Sequence, residues 1–260
     1  MTDRLGELLK EEEFIFGVIC RDATMTDIEL MAQEGFNIVW LDLEHGPQST
    51  EEVIRLGRTI THLGMVPLVR IPELDRTHVQ RLLDGGIQVL TLPDIRNVGQ
   101  AEELTRLGKY PPLGDRGVSS TSAGTDFSLG SDVEQTIREA NESTHLMVMF
   151  ESDEGFDSLE SVLTVEAVDM ITVGPADWAT SLGIYDSEGK ARLSEKLDTV
   201  LETAHRSGKI TSVGAAATPE EARSFQEMGV RIFFVGVDIA LRRAALSGAI
   251  GAQKKALGIG

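Results

Sequence analysis

Apolar positions along this chain fall into short continuous runs, and stretches with helical spacing lie between them. The runs are FIFGVI (14–19), NIVWLDL (37–43), VPLVRI (66–71), QVLTLP (88–93), HLMVMFE (145–151), DMITVG (169–174), ITSVGAA (210–216) and RIFFVGV (231–237). Each is mostly apolar throughout and bounded by Gly, Pro or Asp, the pattern of strands covered on both faces. The intervening TMTDIELMAQEG puts Ile28, Met31 and Ala32 on one helical face and closes on Gly35. STEEVIRLGRTITHLG opens with Ser49 ahead of two glutamates, and TPEEARSFQEMG opens with the cap and first-turn pair Thr218–Pro219.

Eight strand–helix units in 260 residues predict an α/β chain folded as one (βα)8 TIM barrel spanning residues 1–260. An open doubly wound sheet is the main rival, but no GxGxxG or GxxxxGK[ST] follows any run. The longest irregular stretch, YPPLGDRGVSSTSAGTDFSLG (110–130), precedes the fifth strand; a loop of that length serves as a lid, a binding loop or a subunit contact.

Composition narrows the function classes. Lys and Arg total 24 against 42 Asp and Glu, a net charge of −18 that disfavours nucleic acid and anionic membranes as partners. The lone Cys20 allows no internal disulfide, which suggests a reducing compartment, and within FIFGVIC it reads as a small buried hydrophobe. MTDRLGELLKEEE lacks the apolar segment of a signal peptide, and no run approaches the about 20 residues that span a bilayer. A soluble, cytoplasmic protein is expected.

The strand ends carry the chemistry. In a barrel their C-terminal ends converge on one mouth, where active sites are built. The second strand delivers Asp42, Glu44 and His45, the third Arg70, the fifth Glu151, and the sixth Gly174-Pro175 followed by Asp177. The opposite ends are mostly uncharged, with Asp169 and Arg231 as exceptions. Glu151 and Asp177 are two carboxylates on adjacent units with no thiol near them, a donor set that suits a hard divalent cation such as Mg²⁺ or Mn²⁺. Two protein ligands leave room for a chelating 2-oxo acid, and such an ion supplies Lewis acidity to an enolate. Arg70 would complement the developing negative charge, and His45 could serve as general base, through water. The plain alternatives are first-turn carboxylates for Glu151 and Asp177, a rim ion pair for Arg70 and a loop histidine for His45. His62, His78 and His205 lie in amphipathic helices and His145 opens a strand; all four read as structural or solvated, and the EEE run (11–13) as a solvated face.

LDLEHGPQS, PLVRIP, RLLDGG, PDIRN, YPPLGDRG, FES and VGPADW-ATSLG, in that order over about residues 14–245, resemble the HpcH/HpaI aldolase family, class II pyruvate aldolases. The resemblance implies that Glu151 and Asp177 match the two metal carboxylates and Arg70 the arginine at the pyruvate oxygen. It makes His45 the base acting through water, Asp42 the acid near it, and the backbone at Gly174 and Pro175 the lining of the pyruvate pocket. Asp84, in RLLDGG, looks like the aspartate that reaches a neighbouring subunit's site and supports its histidine. A last helix exchanged between subunits, here 239–258, and a homohexamer built as a trimer of dimers are also implied. One substrate-pocket position departs from the pattern: Met149 stands where the family usually carries a glutamine that reaches the substrate oxygen, and a thioether is no amide donor. The loop after Arg116-Gly117 is also small and polar where many relatives carry larger residues.

The expected activity is therefore cleavage of a 4-hydroxy-2-oxo acid to pyruvate and an aldehyde, using Mg²⁺, Mn²⁺ or Co²⁺. Decarboxylation of an oxaloacetate-like acid, or another C–C coupling on the same enolate, is the alternative. A 2-oxo-acid-binding protein with a lapsed active site is the third reading.

Overall fold

The computed structural model describes residues 2–128, 132–214 and 218–259. The chain opens with α1 (Arg4–Glu11) and β1 (Ile15–Cys20), followed by α2 (Met25–Gln33), β2 (Ile38–Asp42), α3 (Thr50–His62), β3 (Val66–Arg70), α4 (Arg76–Asp84), β4 (Val89–Leu92) and α5 (Val98–Gly108). After a long loop come α6 (Val133–Ser143), β5 (His145–Phe150), α7 (Asp153–Asp157), α8 (Leu159–Leu163), β6 (Met170–Val173), α9 (Pro175–Ser181) and α10 (Ser187–Arg206). The last elements are β7 (Ile210–Gly214), α11 (Pro219–Glu227), β8 (Ile232–Val237) and α12 (Asp238–Ala256).

The strands pair in parallel and in sequence order, and β8 returns to β1, so the sheet is a closed barrel. Every residue of β2, β3, β4, β5 and β6 is buried, which is why those strands read as continuous apolar runs. One core lies between strands and helices, and a second fills the barrel interior with Ile38, Trp40, Leu68, Met147, Met149 and Phe234. Capping boxes at Thr24, Ser49 and Thr218 start α2, α3 and α11, as their sequence spacing requires. The last two residues of the seventh run, 215–216, and positions 129–130 of the long loop lie outside the described residues. No helix among the described residues is long and apolar enough to cross a membrane.

The N-terminal segment is more than a solvated acidic start. Leu5 and Leu8 of α1 are buried against Ile15, Val66 and Val89, closing the barrel at the end opposite its mouth. Their i, i+3 spacing was the available signal.

An ion cluster holds that plug. Asp3 caps α1 and its Oδ1 lies 2.8 Å from Nε2 of the buried His145, while Asp169 Oδ1 lies 3.9 Å from Nδ1. Burial opposes a charge on His145, but Asp169 and Asp3 outweigh it and raise the imidazole to about 9. At 3.9 Å the Asp169 contribution is charge attraction rather than a hydrogen bond. The histidine's ordinary value is near 6.5, so the clamp's stabilisation is complete below about pH 6.5 and is lost as pH rises through about 9. Stability measured by urea unfolding should fall by about 2–3 kcal/mol between those pH values, and His145→Asn should flatten that slope. An unchanged slope in the variant would show that the cluster is not charged.

The long loop starts where α5 has already carried the chain away from the mouth. It packs on the C-terminal end of α4, with Gln80 Nε2 donating to Gly117 O at 3.0 Å and Arg116 Nη2 to Asp84 Oδ1 at 2.8 Å. The described part of the loop therefore lies along α4, on the outside of the barrel. The last helix also departs from a standard barrel. Of α12 only Asp238 is buried, and Ile239, Leu241, Leu246 and Ile250 are exposed. A groove lined by Phe14, Phe16 and Phe233 remains open on the outer surface by α11, with Phe16 and Val235 exposed.

Candidate active site

At the mouth, β1, β2, β3, β5, β6, β7 and β8 surround a cleft of about 680 Å³, measured out to open solvent. Its walls include Arg21, Trp40, Arg70, Met149, Glu151 and the Gly174–Asp177 turn. Of the residues singled out from the sequence, Arg70, Met149, Glu151, Gly174, Pro175 and Asp177 thus line one cavity.

Strand pairing explains the geometry. Asp42 and Arg70 are register partners at the ends of β2 and β3, so both side chains point inward at the same level. Arg70 donates Nε to Asp42 Oδ1 at 2.9 Å and Nη2 to Oδ2 at 2.6 Å, a bidentate pair buried at both ends. Nη1 also lies 2.9 Å from Glu44 Oε2. Asp42 Oδ1 further accepts the backbone N–H groups of Glu44 and His45 at 3.1 and 3.3 Å. Burial disfavours charge on Asp42, but the Arg70 hydrogen bonds and charge win and hold its carboxyl below the usual range. Asp42 therefore fixes the guanidinium and the Glu44–His45 turn together. Gly46 completes that turn, because a Cβ there would stand 2.3 Å from Asp42 O.

Glu151 is anchored by one oxygen only. The Asp94 N–H, in a residue at φ 43°, donates to Oε1 at 2.7 Å. Oε2 is buried and has no hydrogen-bond partner among the described residues. Burial and the negative charge of Asp177 push this carboxyl up to about 7, against the pull of the Asp94 N–H and Arg70. Gly174 lies under the free oxygen: a Cβ there would fall 2.1 Å from Glu151 Oε2. Asp177, exposed in the first turn of α9, brings a second carboxylate to the same cleft. An orphaned buried carboxylate oxygen, a glycine that keeps space beside it and a second acid fit a hard divalent cation.

Asp42 and Glu44 reach the cleft through Arg70, and two further sequence candidates stand apart from it. His45 sits on the exposed turn after β2, its Nε2 3.7 Å from Glu44 Oε2. Asp84 ends α4, a helix that runs from the mouth to the far end of the barrel, and there it accepts from Arg116 and from Gln80 Nε2. One chain does not bring Asp84 to its own cleft. Two cleft residues escaped the sequence reading. Trp40 has an indole Nε1 that is buried without a partner, but an apolar residue inside a strand gives no sign of that. Arg21 follows β1 directly, and a strand run extended by one residue to Cys20 would have found it.

Among the described residues, one tighter group of possible ligands exists, Glu73, Asp75 and His78, beyond β3. Asp75 is the N-cap of α4, accepting from the Thr77 and His78 N–H groups, and its carboxylate also holds the His78 ring. Those bonds account for the group as a helix start.

Comparison with known proteins agrees with the fold. The sequence profile of the HpcH/HpaI aldolase/citrate lyase family matches residues 18–245. A hydroxypyruvate/pyruvate aldolase of Delftia acidovorans is 31% identical over 240 residues, covering 92% of this chain and 88% of that protein. A 2-keto-3-deoxy-L-rhamnonate aldolase of Shigella boydii is 28% identical, covering 95% and 91%. The crystal structure of an HpcH/HpaI aldolase from Desulfitobacterium hafniense superposes with a TM-score of 0.88 at 28% identity, over 96% of each chain. A (βα)8 barrel with this cleft, matched over most of its length by aldolases, is a carbon–carbon lyase of the aldolase kind. The chain belongs to the HpcH/HpaI aldolase/citrate lyase family.

Proposed function

We propose that the protein is a divalent-metal-dependent class II aldolase that splits a 4-hydroxy-2-oxo acid into pyruvate and an aldehyde, reversibly. The observation that carries this reading is the unpartnered, buried Oε2 of Glu151 in a cleft shared with Asp177 and Arg70. Glu151 and Asp177 would hold the cation (Mg²⁺, Mn²⁺ or Co²⁺), which when bound supplies Lewis-acid stabilisation to an enolate. Arg70 keeps N–H groups beyond those spent on Asp42 and Glu44, and it offers them to the substrate's 2-oxo oxygen as charge develops there. The Gly174–Pro175 backbone and the Met149 side chain shape the floor under the three-carbon unit. His45, carried by the turn that Asp42 anchors, takes the 4-hydroxyl proton through water. The C3–C4 bond then breaks, its electrons pass into the C2–C3 enolate, C4 leaves as the aldehyde carbon, and C3 is protonated to give pyruvate. The printed names of the Delftia and Shigella relatives support a 2-oxo-acid aldol reaction of this class.

The experiment is exchange of the pyruvate C3 protons with deuterium, followed by NMR. Chelation should abolish exchange and added Mn²⁺ should restore it. Exchange that survives full chelation would contradict the reading.

The open face beside β1 and β8 and the exposed apolar length of α12 support a further part of the proposal. In a second copy of the chain, α12 covers that groove, in a cytoplasmic homohexamer built as a trimer of dimers in which Asp84 serves a neighbour's site. Sedimentation of the full chain should report the hexamer, and a monomer at micromolar concentration would exclude it.

A further inference from the structure

The cleft holds a second arginine, Arg21, that the reaction outlined above does not use. Asp238 fixes its backbone, accepting the N–H groups of Arg21 and Asp22 at 3.1 Å each. The carbonyl of Arg21 is packed against Gly46, where a Cβ would stand 2.6 Å away. Among the described residues the Arg21 side chain makes no hydrogen bond, and Nε is buried without a partner. Its one carboxylate neighbour is Asp42, with Oδ2 at 3.5 Å. Asp42 is already engaged by Arg70 and by two backbone N–H groups, and at 3.5 Å it takes no hydrogen bond from Arg21, whose donors stay unspent among the described residues. Arg70 differs in this respect, since part of its N–H set is spent on Asp42 and Glu44.

Position gives the free donors a purpose. In the closed order of eight strands, β1 stands opposite β5, the strand that ends at Glu151. Arg21 enters the cleft beside Arg70, since Asp42 Oδ2 lies 3.5 Å from Arg21 Nε and 2.6 Å from Arg70 Nη2. A substrate whose 2-oxo end lies by Glu151, Asp177 and Arg70 therefore turns its other end to the β1 side, where Arg21 stands. Ile19, Trp40 and Val237, on β1 and its two neighbouring strands, give that side of the cleft an apolar wall. A planar guanidinium with open N–H groups in the wall of a pocket selects a carboxylate, by charge and by bidentate geometry.

We propose that Arg21 is the residue that sets acceptor specificity, and that the acceptor is an aldehyde or oxo acid bearing a carboxylate. The inference rests on the aldolase reading and names the substrate class of that site. The product then carries a carboxylate at each end, one read in the half of the cleft that holds Glu151 and one by Arg21.

The test compares aldol addition of pyruvate to matched acceptors, in wild type, Arg21→Gln and Arg21→Lys. Glyoxylate is paired with acetaldehyde, and 4-oxobutanoate with pentanal. The ratio of kcat/KM for the anionic over the neutral acceptor should fall about 30-fold in Arg21→Gln for at least one pair, chiefly through KM, with partial recovery in Arg21→Lys. A ratio within twofold of wild type in both pairs overturns the proposal. Acceptor-free exchange at pyruvate C3, measured on the same samples, separates the two levels. Wild type that exchanges while the ratio stays fixed refutes the role of Arg21 alone, whereas wild type without metal-dependent exchange refutes the aldolase reading as well.

Discussion

Glu151→Gln is expected to cut pyruvate-enolate turnover by about 10³-fold while making the metal-free protein more stable. The activity loss follows from removing one of two carboxylates that hold the cation, whose charge stabilisation of an enolate is worth several kcal/mol. The stability gain follows from the same oxygen. Glu151 is raised to about 7 because burial and Asp177 both disfavour its charge. A carboxyl raised in the folded state penalises folding wherever it must ionise. The penalty is absent below about pH 4.5, its ordinary value, and complete above about pH 7. Removing the charge should therefore stabilise the apoprotein by about 2 kcal/mol at pH 8 and by little near pH 4.5. Differential scanning calorimetry at the two pH values, with and without Mn²⁺, reads both effects. Wild type should gain Tm on adding Mn²⁺ and the variant should not. A variant less stable than wild type at pH 8 in the absence of metal would show that the Glu151 charge is already compensated.

Replacing Asp42 should have the largest cost in stability. Asp42→Ala leaves the Arg70 charge, 5% exposed, with the more exposed Glu44 as its remaining partner, together with two backbone N–H groups that lose their acceptor. Breaking a buried ion pair from one side costs about 3–5 kcal/mol. Asp42→Asn keeps the volume and one carbonyl acceptor, so it should lose less stability but nearly as much activity, because Arg70 and the His45 turn are no longer held. Urea unfolding together with pyruvate exchange distinguishes the two variants. A loss under 1 kcal/mol in the alanine variant would mean that the existing Glu44 contact suffices to pair Arg70.

Much of this architecture could be read from the chain because barrel strands are buried on both faces. Continuous apolar runs marked their positions to within a residue or two, and strand ends marked the mouth. Arg70, Glu151, Gly174 and Asp177 were legible for that reason: a charge or a glycine that ends an apolar run must lie near the rim. What periodicity cannot show is pairing. Nothing in LDLEHG distinguishes an acid that supports His45 from one that clamps Arg70, since the second role depends on β2–β3 register. Asp94 was hidden because it acts through its backbone N–H, which any residue possesses. The α1 plug was obscured by its surrounding charge, although Leu5 and Leu8 were correctly spaced. Asp84 shows the reverse limit. Its motif was visible, but the direction of α4 sends it to the end of the barrel away from its own chain's mouth.

The account stands on a cation shared by Glu151 and Asp177. Crystals grown with Mn²⁺ and pyruvate, with data collected near the manganese absorption edge, test it directly. The anomalous difference map should contain a peak between the Glu151 and Asp177 carboxylates, and that peak should vanish in Glu151→Gln. A map empty there, or one whose manganese peak lies instead among Glu73, Asp75 and His78, would contradict it.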